Sequence, residues 1–359
     1  MESSTFPLKD FLRKNKGVSY DLASSSVRDI SVLNGYEINS YFYTGYTDEY
    51  NLELEEKISD FYKGVDDLDI VSLPGAQISN SLVFLASFDH GDEVIVESPN
   101  YEPLFKFPKK IGLKVVTFKR RFENGFNIKI EELDECISKK TKAVVITNPH
   151  NPSGVFLGEE KLKEIQQYLE DKGVLLVVDE IFRDFVKDGS SALEYGSNVV
   201  VTSSFSKIFG MGGIRIGWAA TRNKELIEQI YQLKFQMNLL NSTLSEKMVL
   251  KTLENRETLL TEVRNLIQRN ISMINGWIEG SKNLQWVPPS SVNISFPRLK
   301  LPCNSYEFSQ RALKEGVLVS PGRFFSKDFD DHIRLCFGMK TQKLALGLQK
   351  LSKVIRKWD

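Results

Sequence analysis

Between about residues 68 and 220 the chain alternates short apolar runs with amphipathic stretches, and this alternation constrains the fold more than any other feature. The runs are "LDIVSL" from Leu68, "DEVIVES" from Asp92, "KVVTF" from Lys114, "KAVVITN" from Lys142, "VLLVVDE" from Val174, "NVVVTSS" from Asn198 and "IRIGWAA" from Ile214. Several carry consecutive β-branched residues without polar alternation, as strands buried on both faces do. Among the intervening segments, "GEEKLKEIQQYLEDKG" sets Leu162, Ile165 and Leu169 on one helical face and ends on Gly173. The pattern predicts an α/β fold with a mostly parallel central sheet and helices on both faces.

After residue 220 the pattern changes. A long helical region is expected from Lys224 to Gly280, with "TLSE", Thr243 to Glu246, read as a capping box. Short strands follow in "LQWVPP", "VNISFPR", "GVLVSPG" and "HIRLCFG", with a helix in "NSYEFSQRALKEG". The chain closes on an amphipathic helix with Leu344, Leu348, Leu351, Ile355 and Trp358 on one face. The expected division is a large α/β domain over 45–240 and a smaller α+β domain from 1–44 and 241–359, joined by the long helical stretch. The first forty-odd residues are expected to be irregular and to pack against the smaller domain.

The formal charge is zero, with 47 basic and 47 acidic residues, which gives no support to a nucleic-acid or membrane partner. Cys136, Cys303 and Cys336 form no CxxC pair or disulfide framework. His90, His150 and His332 show no metal-ligand spacing. The N-terminus lacks an apolar core of signal-peptide length, and no window reaches the length of a membrane span. A cytoplasmic, metal-free protein is expected.

Ligands of open parallel sheets bind beyond the carboxyl ends of the strands, so the residues that close each run indicate the chemistry. The first run leads into Pro74, Gly75, Ala76 and Gln77, and the second into Pro99, Asn100 and Tyr101. "AVVIT" leads into "NPHNPSG", Asn148 to Gly154; "VLLVV" ends in Asp179 and Glu180; "VVVT" ends in Ser203 to Lys207. A lysine amine forms a Schiff base with an aldehyde. A carboxylate behind a pyridine nitrogen keeps it protonated, so the ring drains electrons from a carbanion. A Gly-rich helix start, serine hydroxyls and an arginine suit a phosphate dianion. An aromatic ring stacks on a heterocycle, and an asparagine amide donates to a phenolic oxygen. Pyridoxal 5′-phosphate carries the aldehyde, pyridine, phosphate and phenolic oxygen together.

"SSFSKIFGMGGIRIGW", "NPHNPSG" and "DEIFRDF", in that family's order and spacing, resemble the class I/II, fold-type I aminotransferases. The resemblance runs from "YTGYTDEYNLELEEKI" to "IRLCFG". It implies a Schiff base at Lys207, which also shuttles the proton, and Asp179 on the pyridine nitrogen. Asn151 would donate to the phenolic oxygen, and Tyr101 would stack on the ring. Ser204, Ser206 and Arg215 would grip the phosphate, with the backbone amides of Ala76 and Gln77 after Gly75. Arg334 would fork onto the substrate α-carboxylate, which its planar geometry suits. It further implies amino-group transfer between an L-amino acid and a 2-oxo acid, by alternation with pyridoxamine phosphate, in a homodimer with a shared site. Tyr43 and Tyr46 are alternative candidates for the tyrosine that relatives lend to the neighbouring subunit.

Read singly, several of these residues have plainer roles. Lys207 would be a solvated lysine, Asp179 a helix N-cap, Asn151 a turn residue, Tyr101 a core or rim aromatic, and Arg334 a salt-bridge partner. Glu180 reads as structural and His150 as a loop residue. Phe182, Phe324 and Phe325 suggest an apolar substrate wall, whereas Arg183 and Arg323 would suit an acidic or phosphorylated side chain.

Phe182 is a departure: many members of that family carry tyrosine three residues after the aspartate. A carbon–sulfur lyase, decarboxylase or racemase on the same scaffold therefore stands as the alternative. Phenylalanine donates no hydrogen bond to the phenolic oxygen, so the Lys207 Schiff base should hold its proton to higher pH than in tyrosine-bearing relatives. Titration of the visible band should show the midpoint moving down in Phe182→Tyr; an unmoved midpoint would contradict the idea.

Overall fold

The computed structural model describes residues 7–15, 17–27, 49–62, 64–237 and 240–358. Seven strands form the central sheet: β1 Asp69–Leu73, β2 Glu93–Ser98, β3 Lys114–Lys119, β4 Thr141–Thr147, β5 Leu175–Asp179, β6 Val199–Ser204 and β7 Gly217–Thr221. Their order is β1-β7-β6-β5-β4-β2-β3. All neighbours are parallel except β7, which runs antiparallel to both β1 and β6.

The consecutive apolar residues are explained by the two covered faces. Val94, Val96, Ala143, Val145, Val177 and Val200 pack on one side with Leu82, Val83 and Phe84 of the Ala76–Ser87 helix and Ile230 of the Lys224–Met237 helix. Their neighbours Ile95, Val144, Ile146, Leu176, Val178, Val199 and Val201 face the other side, against Leu162, Ile165 and Leu169 of the Glu159–Asp171 helix. Each fully buried side chain of this kind contributes about 1.5–3 kcal/mol. A polar residue in either register would forfeit that contribution and add a desolvation cost.

Four local expectations are corrected. The run at Ile214 becomes strand only from Gly217, because Arg215 adopts a left-handed backbone with φ 63 that a strand does not accommodate. The region from Lys224 to Gly280 is three helices, Lys224–Met237, Thr243–Leu253 and Arg256–Glu279. The cap of the second is Ser242, whose side chain accepts from the Ser245 amide; Glu246 instead turns inward to Asn241. The N-terminal region is not wholly irregular: it contains the Pro7–Lys14 helix, with Leu8 and Phe11 buried, and the strand Tyr20–Asp21.

That short strand pairs in parallel with Val317–Leu318, and Leu22 continues the ladder by donating to Leu318. Ile333–Cys336 lies between Ile294–Ser295 and Ser320–Pro321, antiparallel to both. The Thr341–Arg356 helix buries Leu344, Leu348, Leu351 and Ile355, and Trp358 beyond it stacks on Phe308. Among the described residues no helix is long and apolar enough to cross a membrane, and no cluster of His, Cys, Asp or Glu is arranged for a metal ion.

Candidate active site

The carboxyl ends of β1, β4, β5 and β6 open on one cleft of about 820 Å³. Because β7 is antiparallel, its start at Gly217 lies at this same edge of the sheet, beside Leu73 and Ser204. That reversal brings Arg215, two residues earlier, to the loop after β1, where its guanidinium donates to the carbonyl of Pro74 at 3.2 Å and to that of Gly212 at 3.1 Å.

Gly75 precedes the Ala76–Ser87 helix with φ 92, a backbone that only glycine adopts without strain. A Cβ there would overlap the Arg215 guanidinium, and one on Gly217 would meet the backbone of Gly75, Ala76 and Ser203. No side chain caps this helix, so Ala76 and Gln77 present its N-terminal amides and the positive end of its dipole to the cleft. Ser206 lines the same wall; its hydroxyl shares a hydrogen bond of 2.7 Å with Ser204, which stands behind it on β6.

Asp179, at the end of β5, is 5% exposed. Its Oδ2 accepts from Asn80 Nδ2 at 3.0 Å and its Oδ1 from the amide of Ile181 at 3.1 Å; Asn80 Oδ1 in turn accepts from the Thr202 hydroxyl at 2.7 Å. Desolvation raises the carboxyl pKa to about 6, although these hydrogen bonds and Lys207 oppose the shift. Lys207 follows β6 and donates from Nζ to the Ser25 hydroxyl at 3.0 Å. Burial first, then the neighbouring Arg334, lower its amine to about 8. The Phe182 ring lies 5.8 Å from that nitrogen.

Arg334, on the strand Ile333–Cys336, is 3% exposed. It donates to Asn151 Oδ1 at 3.0 Å and to the Ala23 carbonyl at 2.9 Å, while Nε is buried with no hydrogen-bond partner among the described residues. Its guanidinium lies 4.8 Å from the Phe325 ring. The bond uses the carbonyl oxygen of Asn151. Tyr101 lines the opposite wall, its hydroxyl 3.4 Å from Gln77 Oε1 and pushed up to about 12 by burial.

Thus Lys207, Asp179, Asn151, Tyr101, Ser206, Arg215, Ala76, Gln77, Phe182 and Arg334 line one cleft, with Gly75 and Ser204 directly behind. Tyr43 and Tyr46 lie outside the described residues.

Several other readings are corrected. Arg183 does not face the cleft: it is buried and donates to Glu180, Asp184 and the Phe61 carbonyl, over the Tyr62 ring. Arg323 pairs with Asp330 at 3.8 Å, away from the lining. Phe325 backs Arg334, and Phe324 packs on Phe11 and Tyr306, so neither forms a substrate wall. His150 is in a loop but fully buried, tying Ser153 at 2.7 Å to the Pro99 carbonyl at 2.8 Å. Glu180 accepts from Ser191 and the Ala192 amide on the far side of the strand, in the structural role expected of it.

Four contributors went unrecognised in the sequence: Asn80, Thr202, Ala23 and Ser25. Asn80 left a trace, as a polar residue four positions after Ala76 on a helix face that is otherwise buried. Ser25 lies in a stretch read as irregular, and only tertiary pairing brings it to the cleft.

The chain is similar to known proteins in sequence and in fold. The family described as aminotransferase class I and II matches residues 37–351. An aspartate aminotransferase of Sulfurisphaera tokodaii is 28% identical over 332 residues, 87% of this chain and 83% of that protein. A (5-formylfuran-3-yl)methyl phosphate transaminase of Methanocaldococcus jannaschii is 30% identical over 328 residues, 88% of this chain and 84% of that one. Among solved structures, a PLP-dependent aminotransferase from Streptococcus suis superposes with a TM-score of 0.91 at 25% identity, covering 100% of this chain and 99% of the other.

Proposed function

The chain belongs to the class I and II aminotransferases, and from that premise we propose that Lys207, Asp179 and Arg334 carry its transfer of an amino group between an L-amino acid and a 2-oxo acid. The fold is that of the fold-type I, pyridoxal-phosphate-dependent members. The residues present fit this cofactor. A Cβ at Gly75 would displace the Arg215 guanidinium from the helix start, that start has no side-chain cap, and a carboxylate and an amine are buried in one cleft without pairing directly to each other.

When bound, pyridoxal 5′-phosphate supplies an aldehyde for the amine and a pyridinium ring that draws charge from the α-carbon. In this reading the Lys207 amine would anchor the aldehyde and, as a free amine, would take the α-proton at Nζ. Its lowered pKa keeps a useful fraction unprotonated near neutrality. Asp179, held by Asn80 and the Ile181 amide, would face the pyridine nitrogen. Ser206, Arg215 and the amides of Ala76 and Gln77 would hold the phosphate, with Ser204 behind. Tyr101 would stack on the ring and Asn151 would donate to its phenolic oxygen. Arg334 has a buried Nε with no hydrogen-bond partner among the described residues, which would be the donor left over for an α-carboxylate.

A homodimer is part of the proposal, supported by exposed Ile78 and Leu85, seven residues apart on one helix, and by exposed Leu52. A cytoplasmic location is supported by Cys136, Cys303 and Cys336, none of which is in a disulfide among the described residues.

The single observation that carries the reading is the convergence of Lys207, Asp179 and Arg334 on one cleft. Its test is a panel of amino acids added singly to the holoenzyme. Stoichiometric 2-oxo acid with loss of the visible aldehyde band is expected. Release of ammonia, sulfide or carbon dioxide instead would overturn transamination in favour of a lyase or decarboxylase.

A further inference from the structure

Residues 21–27 thread across the floor of the cleft and are fixed at almost every step. Asp21 Oδ1 accepts from the amides of Ala23 and Ser24 at 2.9 and 3.0 Å. Leu22 accepts from the amide of Cys336 at 2.7 Å, and the Ala23 carbonyl accepts from Arg334. The Ser25 carbonyl accepts from Asn293 Nδ2 at 2.8 Å. Val27 then donates its amide to the carbonyl of Lys207 itself at 3.0 Å.

Clamped between these points, Ser25 is 9% exposed and its hydroxyl meets Lys207 Nζ at 3.0 Å. The other groups facing this amine are of different kinds. Arg334 repels a proton there, and Asp179 and Cys336 favour one. Lys9, from the Pro7–Lys14 helix, weakly opposes it. Phe182, where the resemblance leads one to expect a hydroxyl, offers only a ring. Ser25 is therefore the one neutral hydroxyl recorded on this nitrogen among the described residues.

We propose that the Ser25 hydroxyl is a further catalytic group, holding the free amine of Lys207 at its working position for proton transfer. The inference rests on the aminotransferase reading for the step it serves, and on the bond between Ser25 and Lys207 for the contact. A flexible four-carbon stem gives Nζ many positions, and one well-made hydrogen bond selects among them. By accepting an N–H, Ser25 also favours the ammonium over the amine, so its loss should let the proton leave at lower pH.

Ser25→Ala, Ser25→Thr and Ser25→Val separate hydroxyl from packing, because threonine and valine have nearly the same shape. The first readout needs no cofactor: the rate at which Lys207 in the full-length apoenzyme is acetylated by acetic anhydride, followed by peptide mapping across pH. The midpoint is expected to fall in the alanine and valine variants and to stay near wild type in threonine. The second is steady-state kinetics of the holoenzyme, where kcat should drop about tenfold in alanine and valine with KM changed less than about twofold, the size of effect one hydrogen bond to a charged group produces. Equal behaviour of threonine and valine, or an unmoved acetylation midpoint in alanine, would overturn the proposal. A wild-type protein that binds cofactor yet transfers no amino group would instead refute the aminotransferase reading, while leaving the acetylation profile to decide the role of Ser25.

Discussion

Lys207→Ala is expected to abolish the visible absorption of the bound cofactor and to lower amino-group transfer by more than about 10⁴-fold. Two contributions are lost together. On the proposed reading, removing the amine would remove the covalent anchor and, among the described residues, the base placed for the α-proton; positioned acid–base catalysis alone contributes about 10²–10⁴-fold. No other described residue is ready to take over. The neighbouring Arg334 carries a guanidinium, which is no base, and is already engaged by Asn151 and Ala23. Lys207→Arg should be as inactive, because guanidinium neither condenses with the aldehyde nor accepts a proton. Absorbance spectra, single-turnover assays and cofactor content by mass give the answer. A variant that keeps the covalent band, or retains more than about a hundredth of the rate, would move the anchor elsewhere.

Folding stability should change little in that variant. The bond to Ser25 and the contact with the Phe182 ring are given up, and desolvation of the amine, which lowers its pKa to about 8, is relieved. Loss of activity with an unchanged denaturation midpoint would therefore separate chemistry from fold.

The sheet was legible because its determinants are local. β4, β5 and β6 each carry apolar residues in both registers, and burial of both faces follows directly. Most of the candidate site was legible for a related reason: Asp179 and Lys207 sit at or just after strand ends, and parallel strands deliver their ends to one edge. Arg215 was legible in identity but not in mechanism. The antiparallel direction of β7 puts it at the cleft, and direction is a pairing property that a run of residues does not encode.

What escaped the sequence depends on long-range contacts. Ser25 and Lys207 are 182 residues apart, and Asn80 and Asp179 are 99. Arg183 was misplaced for the converse reason. It stands four residues after Asp179, but the turn that follows β5 carries it to Glu180 and the Tyr62 ring on the far side of the sheet. Proximity in sequence to a site residue says little once a strand ends, since one turn suffices to reverse direction.

Asp179→Asn is the second substitution with a large expected effect, and its two consequences should have opposite signs. Activity should fall about 10³-fold, because the buried charge that would keep the pyridine nitrogen protonated is gone; losing one preorganised electrostatic partner costs about 10²–10³-fold in other enzymes. Stability of the cofactor-free protein should rise. The Asp179 carboxyl has a pKa of about 6 in the fold against 3.8 as its ordinary value. The folded chain thus holds the proton more tightly than the unfolded one, so this group's contribution falls as pH rises through that interval and is fully unfavourable above it. Two units correspond to about 3 kcal/mol, an upper bound on the relief at neutral pH. The amide offsets part of that relief: its oxygen keeps the Ile181 amide and a flip of the Asn80 side chain presents an oxygen to the new NH₂ group, but the flip also turns an NH₂ toward the Thr202 hydroxyl, which loses the acceptor it had. Urea denaturation of cofactor-free wild type and variant at pH 5 and pH 7.5 should show the variant gaining more at the higher pH. A gain that is absent, or equal at both pH values, would mean that Asp179 is not a destabilised carboxylate held in reserve for a cationic ring.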